Sequence, residues 1–438
     1  MPYQKSTSDK LRIVIIGAGF AGLNLAKSLR NSEFDVLLLD RQNYHTFQPL
    51  LYQVATGGLE PDSIAYPVRR IFRHIDNVRF QMAEVESIDF LKSQLKSSVG
   101  LISYDKLVIA TGSTTEYFNF EPVRNYLFPL KSVPDALNIR SFLMQNLEQA
   151  VATFDPKERS ELINVAVIGG GPAGVELSGA LAEMKRYVLP KDFPQIDFSA
   201  MTIRLFEAGD RLLPMMKLSA SQKSLVDLQR LGVEVNLNTR VLNYDNHKLN
   251  TDTGDHFHAD TVIWTAGVKG NPVAGFNEKV ITPGQRLRVD AGFKIEGMSE
   301  VYAIGDVAAQ TNSLLPKGHP MLATVAIQQG EYLADTFLSE LQGKKNSPFK
   351  YRSPGVMATI GRNKAVAEIW GLQLKGTFAW LVWMFVHVLS LAGFRNKLVT
   401  LVGWTLSYFN YDRPLGLIIR PYRKRTAMKK PDNKKPKN

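Results

Sequence analysis

The sequence of 438 residues contains no cysteine. Disulfides, thiolate metal ligands, iron–sulfur clusters and thiol-based mechanisms are therefore excluded. The absence does not assign a compartment, because a chain without cysteine tolerates any redox environment. The first ten residues are polar and the first apolar run fits a strand, so we expect no secretory signal. No cluster of histidines and carboxylates has the spacing of metal ligands, and we expect no metal.

Positive charge is concentrated at the C-terminal end. The net charge is +12, and residues 420–438 hold nine Lys or Arg against one Asp. Such a basic tail favours anionic lipid or nucleic acid as a partner. Because the tail follows aromatic apolar segments and no recognition module is visible, we prefer a lipid surface and expect no nucleic acid.

A glycine-rich motif near the N-terminus lies between a predicted strand and a predicted helix. The apolar run at residues 11–16 leads into Gly17-Ala18-Gly19-Phe20-Ala21-Gly22, and a second strand, over 34–39, ends on Asp40. In this arrangement the glycines permit a tight turn, the approach of a pyrophosphate and close packing of the helix. The helix N-terminus faces phosphates, and Asp40 can accept from ribose hydroxyls. The motif predicts a dinucleotide site, with a plain packing turn as the alternative.

The same pattern recurs in the middle of the chain. A predicted strand over 164–168 leads into Gly169-Gly170-Gly171-Pro172-Ala173-Gly174, and a later strand, over 202–206, ends on Glu207 after an insertion at 190–197. A carboxylate at this position accepts from a ribose 2′-hydroxyl and repels a 2′-phosphate. The second motif therefore favours NADH over NADPH, with two ligand-free turns as the alternative.

Three more predicted strands end in small or acidic residues. They lead into Ala110-Thr111-Gly112, into Ala266-Gly267 and into Gly305-Asp306, which should turn into a helix that continues over 323–330. Small residues let the backbone approach a cofactor, and Asp306 can accept from a ribityl hydroxyl. Between residues 78 and 99 we expect short strands, with residues 83–85 in the central one.

The order of these motifs over residues 10–335 resembles the two-dinucleotide-binding-domain flavoproteins. Because there is no cysteine, the reductases that use a cysteine pair and the sulfide:quinone reductases are excluded. The sequence is most similar to the type II NADH:quinone oxidoreductases, on residues 43–57, on the second glycine motif with Glu176, and on residues 323–328. In the last motif Thr324 stands where the family has Gln.

The resemblance implies an α/β fold with two Rossmann-like domains of the glutathione-reductase type, followed by an amphipathic helical membrane-docking segment. The implied division is 1–120 and 286–345 for FAD, 121–285 for NADH, and 346–438 for a hairpin, docking helices and a basic tail. It further implies noncovalent FAD, NADH as substrate, and reduction of menaquinone or ubiquinone without proton pumping.

The expected site residues follow from the motifs and the resemblance. For FAD they are Gly17, Ala18, Gly19, Phe20, Ala21, Gly22, Asp40, Arg41, Val85, Ala110, Thr111, Gly112, Asp306 and Ala326. For NADH they are Gly169, Gly171, Pro172, Ala173, Gly174, Glu207, Ala266 and Gly267. For the quinone they are His45, Gln48, Ala323, Thr324, Gln328 and Lys397.

Glu176 is the expected catalytic residue. The resemblance implies that this carboxyl faces the nicotinamide and the flavin, and the alternative is a plain favourable charge on the helix dipole. For His45 the alternative to a quinone contact is a satisfied, partly buried histidine.

The C-terminal third predicts a β-hairpin over 357–367 and two apolar segments. Residues 376–394 carry no formal charge, and residues 398–409 follow after a short basic stretch, with Trp380, Tyr408 and Tyr411 among the aromatic residues. We expect two helices that lie in one leaflet at the cytoplasmic face of the inner membrane. The alternatives are a helical hairpin buried in a homodimer interface and a single spanning helix. We also expect the protein to form a homodimer.

Two other functions stay open at this point. One is a soluble NADH-dependent FAD reductase of a protein acceptor such as a rubredoxin or ferredoxin, against which the apolar C-terminal segments argue. The other is an NAD(H)-sensing binding protein on the same fold.

Overall fold

The computed structural model describes residues 10–245, 247–313, 315–410, 417–418 and 421–422. The expected interfacial residue Tyr411 and the basic tail from Arg420 onward, except residues 421–422, lie outside this part of the chain.

Short strands and short helices alternate through the first 115 residues. They are β1 (Arg12–Ile16), α1 (Phe20–Ser28), β2 (Asp35–Asp40), β3 (Tyr44–Thr46), α2 (Leu51–Ala55), α3 (Pro61–Ile64), β4 (Ala65–Pro67), α4 (Val68–Ile71), β5 (Val78–Met82), β6 (Val85–Asp89), β7 (Gln94–Ser97), β8 (Gly100–Ser103), β9 (Lys106–Ile109) and β10 (Ser113–Thr115).

Longer helices distinguish the middle of the chain. Its elements are β11 (Phe128–Pro129), α5 (Val133–Ala152), α6 (Pro156–Ile163), β12 (Val165–Ile168), α7 (Pro172–Tyr187), α8 (Leu189–Asp192), β13 (Ile203–Phe206), α9 (Leu218–Leu231), β14 (Val233–Asn236), β15 (Val241–Asp245), β16 (Lys248–Thr251), β17 (His256–His258), β18 (Thr261–Trp264) and β19 (Val268–Gly270).

The last part of the described chain ends in two helices. Its elements are β20 (Leu287–Val289), β21 (Val301–Ala303), β22 (Ala308–Gln310), α10 (Ala323–Leu341), β23 (Val356–Gly361), β24 (Lys364–Ile369), β25 (Leu372–Lys375), α11 (Gly376–Ser390) and α12 (Phe394–Asn410).

The first large sheet brings three distant segments to one edge. Its five strands are parallel, in the order β21-β9-β1-β2-β5. Ile16 pairs with both Leu39 and Ile109, and Ile109 also pairs with Ala303. The residues that follow these strands therefore meet at the carboxyl edge, where open α/β sheets bind ligands.

The second large sheet repeats this design. Its order is β11-β18-β12-β13-β14, again parallel, and Ile168 pairs with both Phe206 and Trp264. The second glycine motif, Glu207 and the turn after β18 consequently share one edge. The predicted pair of Rossmann-like units is confirmed.

The C-terminal sheet packs directly on the second unit. Strands β23, β24 and β25 form an antiparallel sheet. Gly179 of α7 approaches it so closely that an added Cβ would lie 1.9 Å from the carbonyl oxygen of Ile360. Because only glycine permits this distance, the backbones of α7 and β23 are in direct contact.

Helices α11 and α12 have a buried side and an apolar exposed side. Helix α11 buries Ala379, Trp383 and His387, whereas Leu381 and Phe385 are exposed. In the described part of the chain, no helix combines the length and the apolar character that a membrane crossing needs. The predicted helical C-terminal segment is present, as two helices of 15 and 17 residues.

Two local predictions were wrong. Residues 83–84 lie between β5 and β6 instead of within a central strand, because β5 ends at Met82 in the first sheet and β6 pairs with β7 in a separate sheet. Gly305 begins a single 3₁₀ turn (Gly305–Val307) that is followed by strand β22, so the helix starts only at Ala323.

Candidate functional site

The first glycine-rich turn has the geometry that its motif requires. Gly17 has φ +109°, and an added Cβ would lie 2.3 Å from the Ala110 carbonyl oxygen. A Cβ on Gly22 would lie 1.9 Å from the Gly17 carbonyl oxygen, whereas Gly19 has no atom within 4 Å of that position. Two glycines thus serve packing, and the third leaves open space beside the start of α1.

Asp40 closes this turn from the neighbouring strand. Its two carboxylate oxygens accept from the Ala18 amide at 2.7 Å and the Gln42 amide at 2.8 Å. Burial raises the pKa of Asp40, and the two amides and Arg41 oppose that rise. The carboxylate therefore lies at the mouth of the turn, where it can accept from hydroxyls.

The second turn has the same construction. Gly169 has φ +111°, and its Cβ would lie 2.7 Å from Ala266 Cα, while Gly171 has open space. Glu207 accepts from the Gly170 amide at 2.6 Å and the Gly209 amide at 2.7 Å. The two turns are therefore matched in packing, in open space and in the acidic residue that closes them, and both fit a dinucleotide.

The late segment, Gly305–Asp306, lies beside the first turn, since a Cβ on Gly305 would be 3.0 Å from the Ala21 Cβ, and it is held there by side chains that the sequence did not indicate. The Gly305 amide donates to Gln329 Oε1 at 2.7 Å, the Ser113 hydroxyl donates to Asp306, and Lys131 Nζ lies 3.9 Å from Asp306. The sequence signal for the first of these contacts was Gln329, a glutamine on the buried face of α10. Together these contacts fix the Gly305–Asp306 turn beside the first glycine motif.

The start of α10 offers backbone donors at this edge. Helix α10 begins after Leu322 without a side-chain cap, so its first amides are available to a ligand. Ala326 is buried, and its Cβ lies 3.7 Å from the position of a Cβ on Gly305. The cradle formed by the first turn, Asp306 and α10 fits an extended dinucleotide such as FAD.

The residues expected to contact the quinone lie in different parts of the structure and have different partners. His45 is buried, with Nδ1 2.9 Å from the Ala18 carbonyl oxygen, and burial lowers its pKa to about 4. Thr324 bonds the Tyr351 hydroxyl at 2.8 Å. Gln48 is exposed, and Lys397 lies on α12. The structure thus places His45 at the first turn and Lys397 on the C-terminal helices.

Gln328 is already engaged with the backbone. Its Nε2 donates to the Arg352 carbonyl at 2.8 Å, and its Oε1 accepts from the Arg352 amide at 3.0 Å. The side chain therefore holds the segment that leads into β23. The Nε2 group carries a second N–H, which can donate to another carbonyl while both of these bonds stay in place.

Glu176 lies in the wall of a cavity. Its Oε1 accepts from the Thr359 amide at 3.4 Å, and burial raises the pKa of the carboxyl to about 8. The cavity, of about 100 Å³, lies between α2, α7, β23 and the two C-terminal helices. Its wall includes Glu176, Glu183, Arg362, Tyr52, Gln53, Trp380, Trp383, Trp404 and Tyr408. A carboxyl of this kind can hold a proton at neutral pH.

Comparisons with known proteins agree with this architecture. Residues 11–330 match the pyridine nucleotide-disulphide oxidoreductase family, and residues 354–410 match the NDH2 C-terminal domain. The chain is 34% identical to the type II NADH:quinone oxidoreductase Ndh of Mycobacterium tuberculosis, over 94% of this chain and 92% of the relative. It is 32% identical to NdhA of the same organism, over 92% and 88%.

A solved structure shares the fold. NDH2 from Plasmodium falciparum in complex with NADH superposes with a TM-score of 0.85 at 22% identity, over 93% of this chain and 99% of that one. The fold and the two matched turns define a pyridine-nucleotide oxidoreductase with two dinucleotide-binding units. Within that class, the chain belongs to the type II NADH:quinone oxidoreductases.

The raised pKa of Glu176 predicts a pH dependence of stability. The carboxyl titrates near 4.5 in the unfolded chain and at about 8 in the folded one, so only the folded state holds this proton between those values. The free energy of unfolding should then fall with rising pH, by at most about 1.4 kcal/mol per pH unit. His45 and His387, with pKa values lowered to about 4, make the opposite contribution, which fades above pH 6.5 as the unfolded imidazoles lose their protons.

Urea unfolding of the holoenzyme at several pH values between 6.5 and 8 measures this slope. Glu176→Gln should flatten it, whereas Glu158→Gln on α6, at an exposed position, should keep the wild-type slope. Equal slopes in the wild type and Glu176→Gln would contradict the assignment of the buried proton.

Proposed function

We propose that the protein oxidises NADH with noncovalently bound FAD and reduces a membrane quinone, menaquinone or ubiquinone, without pumping protons. The observation that carries the proposal is the pair of matched glycine-rich turns, each closed by an acidic residue, together with the return of Gly305–Asp306 to the first. The non-pumping mode rests on the family resemblance alone.

In this proposal the first turn and the late segment hold FAD. Bound FAD supplies a group that accepts two electrons from NADH and passes them to the quinone. Asp40 accepts from the adenosine ribose, Gly19 leaves space for the pyrophosphate, and Asp306 accepts from the ribityl chain. The uncapped amides at the start of α10 would donate to an electron-rich part of the bound group.

The second turn holds NADH, with Glu207 on the adenosine ribose. Glu176 follows on α7 and lines the cavity between α2, α7 and β23, so it can hold or release a proton there. Thr324 and Gln328 lie on α10, on the segment proposed for the quinone side. The domain boundaries and the homodimer stay predictions.

The C-terminal helices are proposed to bring the enzyme to the lipid that contains its quinone. Helix α11 exposes Phe378, Leu381, Phe385 and Leu389, while Arg395 is exposed at the start of α12. Apolar side chains with adjacent basic residues suit the boundary of an anionic leaflet. We place the enzyme on the cytoplasmic face of the inner membrane.

A steady-state assay of the purified holoenzyme tests the proposal against its alternatives. The protein should release FAD on denaturation and oxidise NADH rapidly only when a short-chain quinone is present. Turnover with an oxidised rubredoxin or ferredoxin as the electron acceptor, but not with quinone, would favour the soluble reductase. Stoichiometric NADH binding without turnover would favour the sensor.

Cofactor choice is predicted to depend on Glu207. The wild type should have a higher kcat/KM for NADH than for NADPH, because a 2′-phosphate would meet a carboxylate whose oxygens already accept from two amides. Glu207→Gln should narrow the ratio of the two kcat/KM values by about tenfold, since one opposing charge near a surface site is worth about 1–2 kcal/mol. Equal efficiencies in the wild type would refute this assignment.

Gln328 is predicted to affect the quinone half-reaction selectively. Gln328→Ala should leave flavin reduction by NADH nearly unchanged and slow reoxidation by quinone several-fold, since a hydrogen bond contributes about 0.5–1.5 kcal/mol. Stopped-flow absorbance of both half-reactions measures the effect. The control Thr336→Ala removes another α10 side chain, one that donates to Tyr332 of its own helix. If Gln328→Ala slows both half-reactions equally, the residue shapes the flavin site as a whole.

Membrane docking is predicted to depend on the exposed face of α11. Replacing Leu381, Phe385 and Leu389 together by Gln should weaken binding to anionic vesicles by at least tenfold, because each buried apolar side chain contributes about 1.5–3 kcal/mol. Sedimentation with vesicles measures binding, and FAD content checks the fold. The matched control replaces Leu91, Leu101 and Phe154, which are equally or more exposed elsewhere. Equal binding by both triple variants would contradict the docking face.

A further inference from the structure

Three elements from different parts of the chain meet at the Glu176 carboxyl. Helix α7 carries the residue, β23 contributes the Thr359 amide at 3.4 Å, and α11 contributes Trp383. Trp383 is 1% exposed, and its indole N–H has no partner that satisfies hydrogen-bond geometry among the described residues. It lies close enough to Glu176 to lower the pKa of that carboxyl. A buried donor without an acceptor and a buried carboxyl with one long hydrogen bond thus line the same cavity.

The indole ring is held in place by its neighbours. It stacks on His387, with ring centroids 4.1 Å apart at 26°, and lies 5.5 Å from the Trp404 ring at 32°. His387 Nδ1 is 2.8 Å from the Trp383 carbonyl oxygen, and the His387 ring meets Phe47 edge-on at 5.9 Å. Rotation of the indole would disrupt these contacts, so its N–H keeps one direction.

We propose that Trp383 is a positioning residue for Glu176: its indole N–H donates to the carboxylate when Glu176 is ionised, so that helix α11 sets both the orientation and the charge state of this acid. Apart from Trp383, the Thr359 amide at 3.4 Å is the single donor to Glu176 in the described part of the chain, so an ionised carboxyl at this buried position needs a further donor. The role of Glu176 in the NADH half-reaction rests on the proposed function.

The other charged and titratable groups around the cavity have other contacts. Glu183 accepts from the Arg362 amide, and the Arg362 guanidinium lies 4.7 Å from the centre of the Tyr408 ring. Tyr52 accepts from Gln53 at 2.9 Å. Burial lowers the pKa of His387 to about 4, so this ring is neutral at pH 7. Trp383 therefore differs from these groups, because it lines the cavity of Glu176 and its N–H has no acceptor among the described residues.

The same helix carries the proposed docking face on its other side. Because Leu381 and Phe385 are exposed while Trp383 is buried, lipid contact and the environment of Glu176 belong to one rigid element. The helix proposed to meet the membrane thus also completes the surroundings of the acid.

The test compares variants of the full-length holoenzyme. The rate of flavin reduction by NADH is measured by stopped flow from pH 5.5 to 9.5. In the wild type it should show an ionisation near 8 that Glu176→Gln removes. Trp383→Phe keeps an aromatic ring but loses the donor, so the apparent pKa should rise by about 0.5–1 unit.

Trp404→Phe is the matched control. It removes an indole N–H from the same cavity wall, but that N–H donates to Gln53 Oε1 at 2.7 Å, so the apparent pKa should stay at the wild-type value. A second measurement covers the case in which Trp383→Phe loses FAD. Tryptophan emission of the wild type should change with pH across the same ionisation, and Glu176→Gln should abolish that change.

The outcomes separate the positioning role of Trp383 from the role of Glu176 in the NADH half-reaction. If Glu176→Gln removes the ionisation but Trp383→Phe and Trp404→Phe both keep the wild-type pKa, the positioning role of Trp383 is wrong. If Glu176→Gln leaves the kinetic pH profile unchanged, the proposed role of Glu176 in the NADH half-reaction fails. In that case the pH titration of tryptophan emission tests the contact between Trp383 and Glu176. If the emission change of the wild type persists in Glu176→Gln, the contact is wrong.

Discussion

Direct contact between backbones, at positions where only glycine fits, holds the parts of this protein together. A Cβ on Gly330 of α10 would lie 2.5 Å from the Ala21 carbonyl oxygen of α1, and one on Gly179 of α7 would lie 1.9 Å from the Ile360 carbonyl oxygen of β23. The first contact joins the late segment to the first glycine turn. The second joins the NADH-type unit to the C-terminal sheet. Overpacking at such contacts typically costs about 1–3 kcal/mol.

These contacts explain why the cavity beside Glu176 is formed by residues so far apart in sequence. Because α7 lies against β23, the Thr359 amide reaches the Glu176 carboxyl, 183 positions earlier in the chain. Helix α11 packs on the same sheet. Trp404 of α12 then bonds Gln53 of α2, which closes the remaining side. The C-terminal helices are therefore part of the protein core as well as its proposed membrane face.

The fold could be predicted from sequence where the signal is local. Both glycine motifs combine a buried strand, a turn and an acidic residue at fixed spacing, and their geometry repeats closely in the structure. Residues 83–84 were assigned wrongly because a short apolar pattern does not reveal where a strand leaves its sheet. The environment of Glu176 could not be predicted, since Thr359 and Trp383 reach it only through tertiary packing. The backbone contacts of Gln328 were hidden for the same reason.

We propose above all that one flavin, bound at the first turn, accepts electrons from NADH bound at the second turn and passes them to a quinone. Anaerobic titration of the holoenzyme with NADH and then with a short-chain quinone, followed by the visible absorbance of the flavin, tests this proposal. We expect one equivalent of NADH per chain to bleach the flavin band and one equivalent of the quinone to restore it. A flavin that NADH bleaches but quinone does not reoxidise, or one that NADH leaves oxidised, would overturn the proposal.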